Sequence, residues 1–501
     1  MSALRSLPPL WFRRQYIITN QNNPQFKTWQ TCAFEDNTWF VYAHPDIEIS
    51  YAKQNNKEII LIGFLLSPDN PTATNQSIIA ELLQKENFDD VLKATFRLGG
   101  RFILIYKDAQ VTRLFQDTLS FREVYYHQKE EKFWAAAQPT LLQEWTPLIA
   151  RTDKKILDFL NSPLLNMKSK GWYGDESLYE AVYHLLPNHY LDLNTWQAVR
   201  YWLNPALTIV DKKDTFQPVS AIMSGLLANA VYRYPTLVAL TAGIDSRIIL
   251  AATRRLKDSL VYFVNRYPKM TPKTADIRIP TLLSKKLGLQ FNVVELPKVN
   301  EIPEDFVQAY QNNYLFVAGD RLGQQVHYSF LKNFDNRLNV MGLGSEIVRT
   351  FYPIEGEITG EALAEVCHYQ KIPFMIEQCE RWLATARPFA EKYNLSLKDL
   401  FYWENRMGNR GATVNTRADI ARETVSLYNC REVLLTFMAV KVKDRQYPEH
   451  ILYKEFIKNL WMEAYQFPIN PPDNMREFIR NQVQKAGLFG LYQRIAKYMK
   501  G

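Results

Sequence analysis

Over the first 150 or so residues the apolar positions come in short runs, not in helical stripes. EIILIGFLL (Glu58–Leu66), GGRFILIYKD (Gly99–Asp108), TRLFQD (Thr112–Asp117) and KFWAAA (Lys132–Ala137) are rich in Ile, Phe, Tyr and Trp. They read as strands. One helix, from about Gln76 to Gln84, interrupts them. Thr152 to Trp202 reads as a connector: a helix at Lys154–Leu160, a loop, then YLDLNTWQAVRYW as a hairpin turning at Leu193-Asn194-Thr195. From Phe216 the period changes. Val219, Ile222, Met223, Leu226, Leu227, Ala230 and Val231 mark one face of a helix. A strand Leu237–Leu240 follows, then a small-residue loop and a helix from about Ser246 to Leu256. Next come a strand at SLVYFVN, a helix from about Thr274 to Leu287, and a strand at FNVVEL. This βαβαβ order predicts a parallel sheet with ligands at the C-terminal strand ends. Beyond about residue 360 the chain reads as largely helical. The fold class is therefore α/β (α+β overall), a β-rich first domain followed by a doubly wound one with a helical extension.

Composition adds bounds. A chain of 501 residues is too long for one ordinary core and predicts two domains. Hydrophobic residues make up 47% and charged ones 22%, the balance of a globular chain. No run approaches the roughly 18 apolar residues that cross a bilayer. The start, MSALRSLPPLWFRRQ, has prolines and arginines where a signal peptide needs an apolar core, so a cytoplasmic location is expected. Cys32, Cys367, Cys379 and Cys430 form no CxxC pair, and the seven histidines lack metal-ligand spacing. Reduced structural thiols are expected. The net charge of +8 is spread along most of the chain, and no nucleic-acid partner is expected. The tail differs. Met475 to Gly501 carries Arg476, Arg480, Lys485, Arg494, Lys497 and Lys500 against Glu477. It reads either as a solvated helix on the body or as a helix making peripheral contact with an anionic membrane.

The loop after the strand Leu237–Leu240 carries chemistry. In LTAGIDSR (Leu240–Arg247), Ala242 and Gly243 let backbone N–H groups approach an anion. The following helix N-terminus adds partial positive charge. Thr241 and Ser246 supply hydroxyls. Asp245 repels phosphate unless a divalent cation lies between, so the loop asks for Mg²⁺ and a polyphosphate. The same residue types also suit an ordinary strand–turn–helix with Asp-Ser as its cap.

TAGIDS resembles the SGGxDS loop of the ATP-pyrophosphatase (PP-loop) superfamily, with Thr241 for Ser and Ala242 for Gly. The stretches NQSIIAELL, FRLGGRFILIYKD, TRLFQDTLSFREVYYH and SLYEAVYHLLPNHYLDLN are similar to the first domain and connector of asparagine synthetase-like proteins. GLGSEIVR (Gly342–Arg349) resembles that family's GxG(S/A)DE signature, shortened by one acidic residue. YKEFIKNLW with FPIN resembles its lysine-bearing segment. The resemblance spans about residues 55 to 470. It implies a degenerate glutamine amidotransferase-like domain of Ntn-type β-sandwich fold at 1–205 and an ATP-binding synthetase domain at 206–501.

The resemblance also implies roles. Leu240, Thr241, Ala242, Gly243, Asp245, Ser246, Val264 and Gly344 would bind ATP. Asp245 and Glu346 would hold Mg²⁺, and Lys454 would stabilise the transition state; a surface lysine is the alternative for Lys454. Arg247, Arg349, Glu404 and Arg406 would orient phosphate or the carboxylate substrate, or else form structural ion pairs. Leu343 stands where relatives carry a Glu or Tyr that handles the nucleophile's proton, and leucine cannot do so. Ser2 follows Met1 where a glutaminase needs cysteine, so no glutaminase activity is expected. Lasso-peptide cyclases and β-lactam synthetases are similar in this respect. The expected activity is amide-bond formation between a carboxylate (a sugar acid, peptide or amino acid) and an amine or ammonia, with AMP and pyrophosphate released. A catalytically inactive scaffold and an RNA-modifying PP-loop enzyme are the other readings.

Overall fold

The computed structural model describes residues 5–162, 172–314 and 320–473. Two six-stranded antiparallel sheets come first. One runs in the order Val182–His184, Tyr125–Lys129, Lys132–Ala136, Tyr16–Thr19, Phe40–Ala43 and Gln30–Ala33. The other runs Gln197–Arg200, His189–Asp192, Thr112–Gln116, Gly99–Lys107, Lys57–Leu66 and Ile49–Gln54. Ile60, Ile62, Ile103, Ile105 and Leu114 of the second sheet meet Tyr16, Ile18, Val41 and Ala135 of the first. The opposite face, Ile59, Leu61, Leu104, Tyr106 and Phe115, is covered by the helices Asn75–Leu83 and Phe88–Ala94. Burial on both faces explains why EIILIGFLL is a continuous apolar run where a half-solvated antiparallel strand would alternate. The first of these helices matches the sequence reading; the second, opened by Asn87 as N-cap, was not expected. The hairpin forms as read, with its turn between Asp192 and Gln197.

A five-stranded, wholly parallel sheet follows, in the order Phe291–Glu295, Val261–Arg266, Thr236–Ala239, Leu338–Met341 and Glu423–Ser426. Connections leave Thr236–Ala239 in one direction and later return to its other side. The strand-order reversal lies between Thr236–Ala239 and Leu338–Met341, and ligands of doubly wound sheets bind at such a point. The last strand was not expected, because Glu-Thr-Val-Ser is short and polar. Its burial comes from neighbours, not from its own apolar content. The remaining described chain is largely helical, including Pro373–Lys392, Arg431–Met438 and Ile451–Leu460. Tyr402–Gly411 forms a π-helix.

The largest core joins the two halves. Phe64, Leu66, Leu119 and Phe121 pack into the same cluster as Val219, Leu226, Leu240 and Ile248. Among the described residues no helix is long and apolar enough to cross a membrane. The basic tail from Met475 lies outside the described residues.

Candidate active site

The strand Thr236–Ala239 ends on Leu240, which is fully buried and donates its N–H to the Phe263 carbonyl at 2.9 Å. The loop is then tied by its own hydroxyls. The Thr241 N–H donates to Ser246 Oγ at 3.1 Å, Thr241 Oγ1 lies 3.0 Å from the same oxygen, and the Gly243 N–H donates to Thr241 Oγ1 at 3.1 Å. Gly243 is the N-cap of the helix Ile244–Ala252, which starts two residues earlier than its periodicity suggested. The Ala242 N–H, expected to face an anion, donates to Asp276 Oδ1 at 2.9 Å. A carboxylate of the chain itself therefore sits at one donor of the anion loop. Val264 is buried on the adjacent strand, two strands from Leu338–Met341.

Across the switch point, Leu338–Met341 delivers Gly342-Leu343-Gly344. A Cβ on Gly342 would lie 2.9 Å from the carbonyl carbon of Asp245 and 3.0 Å from its Cβ, so only glycine allows this approach. Gly344 has φ of 102°, and a Cβ there would also meet Leu119 Cδ1 at 2.6 Å. The short helix Ser345–Val348 follows. Ser345 Oγ donates to Asp245 Oδ1. Arg349 Nη2 donates to Asp245 Oδ2 at 3.2 Å and lies 4.0 Å from Glu346 Oε1. Glu346 Oε2 accepts the Gly344 N–H at 3.0 Å. Burial, and then the Asp245 charge, raise the Glu346 carboxyl above its ordinary range. Burial works against the Arg349 cation, but Asp245 and Glu346 outweigh it and hold the guanidinium charged.

Two carboxylates around one cation form a donor set that suits Mg²⁺. This ion commonly takes one or two carboxylates and completes its shell with phosphate oxygens and water. Among the described residues no group of three or more His, Cys, Asp or Glu is placed to hold a metal. A metal at Asp245 and Glu346 would therefore complete its shell with oxygens from water or from a phosphate-bearing ligand.

The helix Ile451–Leu460 is pinned to this corner, because Tyr453 Oη donates to the Ser345 carbonyl at 2.8 Å. The next residue is Lys454, whose side chain is 32% exposed and whose Nζ lies 3.5 Å from Glu449 Oε2. His450, at the start of that helix, is held below its usual pKa by burial. The Arg349 and Lys454 charges also lower it, while that of Asp245 raises it.

Three expected residues are placed differently from the rest. Arg247 is fully buried and donates to the carbonyls of Ala464 at 2.7 Å, Phe467 at 3.2 Å and Pro468 at 3.4 Å. It holds the chain Ala464–Pro468 against the helix Ile244–Ala252, and burial lowers its pKa to about 10. Glu404 is fully buried and bound by Arg200 at 2.9 Å, Trp382 Nε1 at 2.7 Å and Asn188 at 3.2 Å, a structural ion pair. Both side chains are taken up by the protein itself. Arg406 does not pair with Glu404; its Nη1 donates to Tyr173 Oη at 2.8 Å. Leu343 acts through its backbone, its carbonyl accepting from Ser426 Oγ at 2.6 Å. Ser345, Asp276 and Tyr453 were not anticipated. Ser345 stands inside the quoted GLGSEIVR and Tyr453 opens the quoted YKEFIKNLW, but nothing local marks Asp276.

No family model matches the chain, and no curated protein matches it in sequence. Among solved structures it is similar to a glutamine phosphoribosylpyrophosphate amidotransferase from B. subtilis complexed with ADP and GMP, at 8% identity over 74% of each chain, with a TM-score of 0.24. It is also similar to a glutamine-dependent NAD⁺ synthetase from Acinetobacter baumannii in complex with ADP, at 13% identity over 46% of each chain, with a TM-score of 0.20. At those TM-scores neither likeness bears on the chemistry of this chain.

Proposed function

We propose that this protein is an ATP- and Mg²⁺-dependent amide-bond-forming ligase. In this reading residues 1–205 are an amidotransferase-like domain without glutaminase activity and 206–501 a synthetase domain. The observation that carries it is the junction of Asp245, Ser345, Glu346 and Arg349 across the switch point of a parallel sheet. Thr241, Ser246 and the start of the helix Ile244–Ala252 would hold the pyrophosphate part of ATP, with Leu240, Val264 and Gly344 lining the nucleotide. Asp245 and Glu346 would hold Mg²⁺, which when bound offsets charge on the departing pyrophosphate. A substrate carboxylate oxygen attacks the α-phosphorus, the bond to pyrophosphate breaks, and an acyl-adenylate forms. An amine nitrogen then attacks the acyl carbon, the bond to AMP breaks, and the amine proton passes to solvent or to a second amine. Lys454 stabilises the negative charge that builds on the acyl oxygen.

The lack of a glutaminase step in this reading rests on Ser2 standing where a terminal cysteine would be needed, and none of the four cysteines is offered as a replacement. Cys32 is pushed up to about 11 by burial, Cys367 to about 11 and Cys430 to about 12, and burial raises Cys379 as well. Neutral thiols of this kind are poor nucleophiles. The second reading, an inactive scaffold, is favoured by one observation, the Asp276 carboxylate on the Ala242 amide. Calorimetry separates the two. Mg·ATP should bind the wild type and bind Asp245→Asn at least tenfold more weakly, and ATP without Mg²⁺ should bind neither well. Equal Mg·ATP affinity in the variant removes the metal role. Binding without pyrophosphate release across a panel of carboxylates supports the scaffold.

A further inference from the structure

We propose that Arg349 is a counter-cation built into the candidate site: it holds Asp245 and Glu346 while no metal is bound, and yields them to Mg²⁺ only when a diphosphate group is present to take its guanidinium. The inference rests on the ligase reading and deepens it, from a set of binding groups to the order in which metal and nucleotide enter.

The corner already holds a cation. Among the described residues Arg349 is the one positive side chain within ion-pair distance of Asp245 or Glu346. Lys454, the other cation nearby, pairs with Glu449. The place between two carboxylates that a divalent ion would occupy is therefore filled by a guanidinium. A metal entering alone must displace it. The displaced group would then stand partly buried without a counter-anion, which is costly.

This pair differs from the structural ion pairs of the same chain. Arg101 donates to both Asp419 oxygens, to Glu423 and to the Phe121 carbonyl. Arg445 donates to Asp399 and to the carbonyls of Val440 and Val348. The carboxylates Asp419 and Asp399 are sealed from solvent. Arg349 makes one side-chain hydrogen bond, from Nη2 to Asp245 Oδ2 at 3.2 Å, and lies 4.0 Å from Glu346 Oε1. Its Nε is buried and has no partner. The Asp245 side chain is 29% exposed. A buried donor left unpaired calls for an explanation. Here the explanation is a missing acceptor, since unused donors stand beside a carboxylate that solvent and ligands can reach.

The free atoms name the acceptor. Nε and Nη2 form one edge of the planar guanidinium, and that edge matches two oxygens of a phosphate group. Nη2 is on Asp245, which lies in the first turn of the helix Ile244–Ala252. The guanidinium therefore stands beside the helix start where the ligase reading puts the pyrophosphate part of ATP. Once there, it would also stabilise the charge that builds on pyrophosphate as it leaves. Phosphate draws the guanidinium from Asp245 and opens the carboxylates to metal. Metal, by taking the carboxylates, frees the guanidinium for phosphate. Each removes the penalty the other faces, so their binding is positively coupled, and the coupling is the same measured from either side.

The test uses the full chain at matched pH and ionic strength, with Mn²⁺ as the metal probe and inorganic pyrophosphate as the diphosphate probe. Electron paramagnetic resonance of the free ion reads Mn²⁺ binding, and calorimetry reads pyrophosphate binding. Each is measured alone and with the other, after subtraction of the Mn·pyrophosphate complex formed in solution. In the wild type each should raise the affinity for the other at least tenfold. Arg349→Gln should bind Mn²⁺ alone about tenfold more tightly than the wild type, because the competing cation is gone. It should bind pyrophosphate at saturating Mn²⁺ about tenfold more weakly and show a smaller coupling. Arg349→Lys keeps the charge without the fork, so it should bind Mn²⁺ alone as the wild type does and pyrophosphate more weakly. An arginine that only holds Asp245 in place gives the opposite sign for the metal: Arg349→Gln would bind Mn²⁺ more weakly. That result, or unchanged pyrophosphate affinity, overturns the proposal. Should Arg349→Gln not fold, unchanged pyrophosphate affinity in Arg349→Lys, or independent binding of the two probes in the wild type, overturns it equally. Coupling that Arg349→Gln reduces, in a protein that does not bind Mg·ATP, leaves the counter-cation standing and removes the ligase reading. Mg·ATP binding together with wild-type behaviour of Arg349→Gln removes this inference alone.

Discussion

Between the carboxylates of Asp245 and Glu346 lies the Arg349 guanidinium, 3.2 Å from the first and 4.0 Å from the second. Without such a cation two half-buried carboxylates this close would resist joint ionisation. Lys454 has no comparable anchor. Its pairing with Glu449 at 3.5 Å is partly exposed, and pairs of that kind contribute little to stability. Lys454→Ala should therefore leave Tm within a degree or two. If the acyl-adenylate reading holds, turnover should fall by roughly 10²–10³-fold, the range for loss of one preorganised donor, with ATP affinity nearly unchanged. Pyrophosphate release on an accepted carboxylate checks this, and wild-type turnover in the variant removes Lys454 from the mechanism. At this scale the loop was readable because Thr241, Asp245 and Ser246 are contiguous. Arg247 and Glu404 were not, since their partners, Ala464 to Pro468 and Arg200, are about 200 residues away in sequence. Local charge says nothing about which distant group will meet it.

Two strand ends and the turns that leave them make the corner. The loop after Thr236–Ala239 was legible as βαβ from its period. That Leu338–Met341 stands beside it was not, because sheet order is decided by which helices cover which face. The same limit hid Glu423–Ser426 and the π-helix, whose unusual winding leaves no period in the sequence. The contact of the two turns is tightest at Gly342. Gly342→Ala would place a methyl group about 3 Å from backbone and Cβ of Asp245, closer than ordinary packing allows. The turns must separate, at a cost of roughly 1–3 kcal/mol as for other overpacked sites. The expected result is a folded protein whose Asp245–Ser345 contact is broken and whose Mg·ATP affinity falls at least tenfold. Unchanged affinity in a variant of unchanged Tm would show that the turns are not held together in the binding state.

The two halves of the molecule are welded by buried polar groups as well as by the shared core. Arg101 donates to both Asp419 oxygens and to Glu423, and Arg122 reaches Glu423 at 3.0 Å. Arg431 sits among the rings of Phe96, Tyr201, Trp202 and Trp403. Unfolding should therefore be one cooperative transition, observed as a single calorimetric peak. The change of period near Phe216 was legible, but the depth of this junction was not, because each half contributes residues that look like ordinary core or surface positions alone.

One pair at the junction gives it a pH signature. His184 meets Asn409, and Glu123 accepts from Gln138 at 2.8 Å and from Thr413 at 3.0 Å. Their nearest atoms are 3.9 Å apart, and both side chains are fully buried. Burial lowers His184 to about 4, only partly opposed by Asn409. Burial raises Glu123 to about 7 against the hydrogen bonds of Thr416 and Thr413. The signs are opposite. Below about 6.5 unfolded His184 takes a proton that the folded form refuses, so its contribution falls as pH drops toward 4. Between about 4.5 and 7 folded Glu123 keeps a proton that the unfolded form releases, so its contribution falls as pH rises. Over the shared window the two slopes nearly cancel. Each substitution should expose the other group. Relative to wild type, Glu123→Gln should gain about 3 kcal/mol between pH 4.5 and 7, and His184→Gln should lose about 3 kcal/mol between pH 4 and 6.5, because each tenfold change in proton affinity on folding is worth about 1.4 kcal/mol. Urea unfolding midpoints at half-unit steps of pH measure both differences. If the two variants track the wild type in parallel across that range, neither group titrates as its burial requires, and the junction is wetter than the structure shows.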